Sequence, residues 1–211
     1  CGPSIESITR NLPGKHIVLY SDVDGNFPNH HPDPTDVSTL ENLSQKMREV
    51  GADLGIAFDG DGDRVGIVYE KGKHYSADYL LLFLARDLLT RIPNAQIVFD
   101  VKVSKAIIDN MAALGAQTIM SKTGHSFIEN KMKELSAPLG GEVSGHLFFA
   151  ENYYGFDDAL LAAAKIIEIL SQETHPFSQM FNDLPKTFAT PEFKAGTPDN
   201  RKFEIVKELT E

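Results

Sequence analysis

Cysteine is almost missing from this 211-residue sequence. Cys1 is the single one, so no internal disulfide can form, and that suits a reducing cytoplasm. Long apolar runs are also lacking. The longest, residues 79–85, falls far short of the roughly 20 residues a membrane span needs. Positive charge is scarce: 20 Lys plus Arg stand against 30 Asp plus Glu, a formal net charge of -10. A chain this acidic is a poor general binder of nucleic acid or anionic membrane. A phosphate would have to be held by a few local cations and backbone amides. No n-region and h-region of a secretory signal is visible, and there is no internal repeat or low-complexity tract. The initiating Met is absent too. Cys1 could be a lipidated cysteine, but a chain cut from a longer protein is the better reading, because anchoring needs a processing signal that the sequence does not display.

What is present is globular. Hydrophobic residues make up 42% and charged residues 24%, and the length suits one large domain or two small ones. Short apolar runs alternate with amphipathic segments. Strands are expected at residues 16–20, 54–58, 65–69, 97–101, 117–120, 139–143 and 147–149. Helices are expected at 36–50, 78–91, 104–114, 126–135 and 157–171. Val37, Leu40, Leu43, Met47 and Val50 carry the three- and four-residue spacing of the first helix, and Gly51 stops it. Ser104 is placed as a helix cap and Gly115 as that helix's end. Repeated strand–helix alternation argues for an α/β architecture with helices on a largely parallel sheet. Boundaries fall near Lys71-Gly72-Lys73 and near Leu184-Pro185-Lys186. The last stretch, 187–211, is too short for a domain and ends in one amphipathic helix.

The strongest chemical signal is Asp59-Gly60-Asp61-Gly62-Asp63-Arg64. Three carboxylates at alternate positions can converge on one hard cation if the backbone turns tightly, and the two glycines allow that turn. Without a cation three crowded anions repel one another, whereas a plain acidic surface turn has little use for alternating Gly and Asp. An EF-hand is excluded. Glu70 falls at the twelfth place, but Arg64 occupies the sixth, where that loop needs Gly, and the flanks read as strands.

A second glycine-rich loop, Gly140-Gly141-Glu142-Val143-Ser144-Gly145-His146, presents a carboxylate, a hydroxyl and an imidazole at alternate positions. A carboxylate can accept from two neighbouring sugar hydroxyls; an ordinary glycine-rich turn is an equal alternative. Lys122-Thr123-Gly124-His125-Ser126 leads into a helix whose first amides could hold a phosphate, although a plain Ser or Thr cap is the simpler account. Lys102, at the end of a strand, could reach a phosphate. His30-His31-Pro32-Asp33-Pro34 reads as a rigid loop rather than a metal site.

Six stretches together resemble the α-D-phosphohexomutases, and within them the bacterial phosphomannomutase/phosphoglucomutase branch. They are DGNFPNHHPDP from Asp24, ADLGIAFDGDGDRVG from Ala52, IVFDVKVS from Ile97, KTGHSFIENKMKE from Lys122, GGEVSGHLFF from Gly140 and YYGFDDAL from Tyr153. The resemblance covers nearly the whole chain. It implies two consecutive three-layer α/β/α domains with mixed, largely parallel sheets. Residues 1–73 would be the second domain of that family, N-terminally incomplete, with the metal loop. Residues 74–186 would be the third, with the sugar loop, and 187–211 a linker and the opening of the fourth. The first domain and most of the fourth would belong to the same polypeptide but lie outside this sequence.

The resemblance further implies Mg²⁺ held by Asp59, Asp61 and Asp63, with a phosphoserine oxygen as a further partner. It implies that Arg64, Lys102 and His146 assist phosphoryl and proton transfer, that Glu142 and Ser144 read sugar hydroxyls, and that His125 and Lys102 contact substrate. The implied partners are hexose phosphates: the 1-phosphates and 6-phosphates of glucose or mannose and their 1,6-bisphosphate. A serine-bearing loop of the type TASHNP is not found here, so the chain alone is expected to be inactive. The rival readings are a non-catalytic sugar-phosphate-binding module, which a serine loop encoded upstream of Cys1 would exclude, and a phosphatase with an aspartate nucleophile. The phosphatase is disfavoured because its pattern places two aspartates around an apolar residue near the first strand.

Overall fold

The computed structural model describes residues 1–186 and 196–210. Residues 187–195, the first part of the expected 187–211 segment, lie outside the described residues. Seven helices and seven strands are formed by the described residues. α1 spans Gly2–Thr9, and residues 16–20 are irregular rather than the expected strand. Ile17, Val18 and Leu19 are apolar, but Ile17 is exposed and no neighbouring strand pairs with the stretch, so backbone pairing has nothing to build on. The helix expected over 36–50 begins as a 3₁₀ turn, Val37–Leu40, with Asp36 accepting from the Ser38 amide, and continues as α2, Glu41–Val50. Gly51 closes it in the left-handed region, its φ being 65°.

β1 (Leu54–Phe58), β2 (Val65–Tyr69) and β3 (Lys73–Tyr75) form an antiparallel sheet in that order. Ile56 sits opposite Ile67. The period-2 alternation sends side chains to opposite faces. Val68 packs with Leu40 and Met47 of the α2 layer, while Val65 and Ile67 face the other way. There they meet α3 (Ala77–Arg91), which is apolar on nearly every side; Leu80, Leu81, Leu82, Phe83, Leu84 and Ala85 are all buried.

The second sheet follows the order β5-β4-β6-β7, with β4 Gln96–Asp100, β5 Gln117–Ser121, β6 Leu139–Gly141 and β7 Leu147–Phe149. β4 pairs parallel with β5 and β6, and β7 returns antiparallel to β6. α4 (Lys105–Ala113) links β4 to β5, and α5 (His125–Leu135) links β5 to β6. α5 covers one face, with Ile128 and Met132 against Val98 and Phe148. α3, α4 and α6 (Ala159–Gln172) cover the other, against Ile97, Phe99 and Phe149. Each sheet is thus the middle of three layers. The first is wholly antiparallel as described, so the parallel pairing of this α/β fold is confined to the second. α3 is a wall common to both.

Ser104 occupies the position before α4, but its side chain makes no cap bond. Instead its amide donates to Asp78 in the first turn of α3, at 3.1 Å. The aromatic rings of Tyr69, Tyr75 and Tyr79 stack at 4.7 and 4.8 Å and meet Phe177 and Phe181, joining the first sheet to the end of the second unit. We propose the division between the units at 73/74, at the start of β3 and a few residues before α3. α7, Lys202–Thr210, is the expected C-terminal helix. Among the described residues no helix is long and apolar enough to cross a membrane.

Candidate functional site

The carboxyl ends of β1, β4, β5 and β6 point to one cleft, the edge where α/β sheets usually present ligands. Asp59 follows β1 directly and is only 4% exposed. Its Oδ1 accepts from the amides of Gly62, Asp63 and Arg64 at 3.0, 3.2 and 3.2 Å. Its Oδ2 accepts from Arg64 Nε at 2.8 Å. One carboxylate therefore winds the whole Asp59–Arg64 loop around itself. β1 and β2 on either side are strands, in keeping with the exclusion of an EF-hand.

Donor atoms of Asp59, Asp61 and Asp63 all lie within 4.8 Å of one another. Asp63 Oδ1 is buried and has no hydrogen-bond partner. Burial, the bond to Asp59 and the charges of Asp59 and Asp61 push the Asp63 carboxyl up to about 6, against the pull of His146. Asp59 goes the other way: burial would raise it, but its bonds to Asp63 and Arg64 and the Arg64 charge hold it below its ordinary value. Arg64 also lies 3.6 Å from Asp33, which brings the Asp24–Pro34 stretch to the same loop. An orphaned buried oxygen inside an all-oxygen donor set fits a hard divalent cation.

The loop after β6 closes against this one. Val65 donates its amide to Gly145 O at 3.1 Å, and Arg64 and His146 form an antiparallel bridge. Gly145 has φ 101°, and a Cβ there would stand 2.9 Å from Val65 O, so this turn admits glycine alone without strain. Ala159, the first residue of α6, donates to Gly62 O at 3.2 Å. Three elements from the two units thus meet backbone to backbone.

Glu142 is buried. Its Oε1 accepts from the Gly124 amide at 2.5 Å and its Oε2 from Ser144 Oγ at 3.2 Å. The expected phosphate cradle before α5 is therefore in part a Glu142 cradle, and α5 has no side-chain cap. Lys122 lies over the Phe127 ring. Thr123 donates to Asp100 at 3.1 Å. Asp100 is fully buried at the end of β4 and also accepts from the Val143 amide at 3.4 Å, bracing the 122–125 and 142–146 loops together. Burial, with Glu142 adding to it, raises the Asp100 carboxyl against these bonds and the Lys102 charge. Lys102 is exposed, with no hydrogen bond or ion pair among the described residues.

His146 Nδ1 is 2.7 Å from Asp157 Oδ2 and 3.7 Å from Asp63 Oδ2. Burial lowers the imidazole's affinity for a second proton, but the Asp157 bond and the charges of Asp63, Asp157 and Glu142 more than offset this and raise its pKa. His125, largely exposed, approaches Asp157 to 3.9 Å, and its ring lies 5.7 Å from that of His146. Asp63, His125, His146 and Asp157 form a second group within 4.8 Å. A cavity of about 560 Å³ opens beside Asp61, Asp63, Tyr153, Phe156 and Asp157. The structure thus brings Asp59, Asp61, Asp63, Arg64, His125 and His146 together, joins Glu142 and Ser144, and leaves Lys102 exposed two residues beyond the end of β4. Sequence reasoning singled out Asp100-Val101-Lys102 for its lysine alone and gave no role to Asp100 or Asp157. A signal for Asp157 existed: of the adjacent pair Asp157-Asp158, only Asp158 caps α6, accepting from the Leu161 amide at 2.9 Å, which leaves the other carboxylate spare.

Comparison with known proteins gives a consistent picture. Residues 2–72 match the family model for phosphoglucomutase/phosphomannomutase, alpha/beta/alpha domain II, and residues 76–188 match that for domain III. A phosphomannomutase/phosphoglucomutase of Pseudomonas syringae pv. tomato is 47% identical over 193 residues, 92% of this chain and 42% of that protein. A phosphoglucomutase of Neisseria meningitidis serogroup A is 43% identical over 201 residues, 95% of this chain and 44% of that one. The crystal structure of a phosphoglucomutase/phosphomannomutase family protein from Burkholderia thailandensis superposes with a TM-score of 0.85 at 42% identity, covering 90% of this chain and 41% of the other. The chain spans less than half the length of these relatives.

Proposed function

The chain belongs to the phosphoglucomutase/phosphomannomutase family, and from that premise we propose that it forms the metal- and sugar-binding part of an enzyme that interconverts hexose 1-phosphates and 6-phosphates. The observation that carries the reading is the backbone closure of two loops on one cleft, Val65 to Gly145, which sets the acidic triad beside His146 and Glu142. Asp59, Asp61 and Asp63 would hold Mg²⁺; the buried orphan oxygen of Asp63 supports this. When bound, the ion would neutralise charge on a phosphoryl group. Arg64, fixed by Asp59, supplies permanent positive charge on the same side. Lys102, exposed just beyond the end of β4, would meet the second phosphate. Glu142 and Ser144 would take ring hydroxyls, and His125 would line the sugar's path. His146 would carry the proton of the attacking or leaving hydroxyl, and the Asp157 bond and the charges of Asp63 and Glu142 raise its affinity for that proton.

Transfer through a phosphoserine and a 1,6-bisphosphate is assigned to the longer protein, since the serine loop is not in this sequence. The single cysteine supports a cytoplasmic setting.

Calorimetric titration tests the metal reading. The chain should take up one Mg²⁺ weakly, because an ion that keeps near-octahedral geometry would have to complete its shell with water. Asp61→Asn should weaken binding at least tenfold. Equal binding in the two proteins would remove the triad from the site.

A further inference from the structure

Giving His146 the proton does not say which ring nitrogen handles it, and the structure holds an answer in Asp157. This carboxylate stands 2.7 Å from His146 Nδ1, with both side chains about 15% exposed. An ionised carboxylate only accepts, so a contact this short places the imidazole proton on Nδ1. The second carboxylate near that nitrogen, Asp63 at 3.7 Å, favours the same choice. Asp157 is itself held: its backbone bridges Phe148 of β7, two residues beyond His146, and Asp158 beside it caps α6. The carboxylate is thereby presented to the ring from a fixed main chain rather than from a loop tip.

We propose that Asp157 is a positioning residue: it holds His146 as the Nδ1–H tautomer in one ring orientation, so that Nε2 is the atom that accepts and returns the substrate hydroxyl's proton. The step balances. Nε2 takes the proton as the hydroxyl oxygen bonds to phosphorus, and returns it to the oxygen whose bond to phosphorus breaks. Nδ1 keeps its proton throughout, and Asp157 stays ionised. This rests on the reading of His146 given above. The same four side chains, Asp63, His125, His146 and Asp157, crowd within 4.8 Å here, and a metal bound to His146 Nδ1 would have to displace the proton that the 2.7 Å contact places there.

Two measurements decide it. Long-range ¹H–¹⁵N correlation on this chain reads the tautomer with no need for turnover, His146 being assigned by the signals lost in His146→Gln. Wild type should show a pyrrole-type Nδ1 and a pyridine-type Nε2, and Asp157→Ala and Asp157→Asn should move the ring toward the Nε2–H form. In the full-length protein, Asp157→Asn should lower kcat by about 10–100-fold, part of what general acid–base assistance supplies. KM should stay within about twofold, and Asp157→Glu should recover part of the loss. A merely structural carboxylate would lower melting temperature and leave the tautomer in place. An unchanged tautomer in Asp157→Ala, or an unchanged kcat in Asp157→Asn, overturns the proposal while leaving the mutase reading intact. A wild-type protein without mutase turnover defeats that reading instead, and the tautomer result then stands or falls by the spectra.

Discussion

At the scale of the residue, Asp63 shows a site set against its own stability. Its carboxyl is pushed up to about 6 from an ordinary 3.8, so the native chain holds that proton more tightly than the unfolded one. The neutral side chain's contribution is fully present below 3.8 and is lost as pH rises through 6. At pH 7.5 the metal-free protein carries an ionised, poorly partnered carboxylate. Asp63→Asn removes that charge and should raise the melting temperature by several degrees at pH 7.5 without metal. The gain should vanish below pH 4 and reverse relative to wild type in excess Mg²⁺. Differential scanning calorimetry over that pH range checks it; a variant that melts lower at pH 7.5 contradicts the charge argument. The three aspartates were readable from the sequence because alternate carboxylates between glycines have few other uses. Asp100 and Asp157 were not, because a single Asp at a strand end or before a helix has ordinary structural roles, and only the fold brings it to a distant imidazole or loop.

At the scale of the element, most helices and strands announce themselves through periodicity, and the departures have local causes. The strand expected at 16–20 lacks a partner, and the helix Gly2–Thr9 escaped notice because its apolar residues are few. The glycine-rich loop after β6 could be read from sequence as a sugar reader or as a plain turn. Its geometry makes it a turn first: Gly145 at φ 101° lets the loop lie on Val65. Gly145→Ala should therefore cost about 1–3 kcal/mol, the usual range for a side chain forced into a sparsely populated backbone region. Urea unfolding of the two proteins measures it. A loss below about 0.5 kcal/mol would mean that the loop relaxes freely.

At the scale of the whole molecule, the two units are less separate than the sequence suggests. A composition-based boundary at 73/74 marks a charged turn, but the buried cluster runs from Val65 and Ile67 through α3 to Phe99, Leu147 and Ile166. Side chains in one cluster share their fate on unfolding. Far-ultraviolet circular dichroism, reporting all helices, and tyrosine fluorescence, reporting the Tyr69–Tyr75–Tyr79 stack at the junction, should follow a single coincident transition. Two separated midpoints would show independent domains. The same continuity bears on the Val65 amide, which is fully buried and crosses from one unit to the other to reach Gly145. Its proton can trade with solvent deuterium only when the two loops part. In a wild-type sample transferred to heavy water this amide should persist with the slowest of the core, in step with Ile97 and Phe99 rather than with its neighbours in the Asp59–Arg64 loop. A single slow backbone proton would then serve as the clock for how often the cleft comes apart.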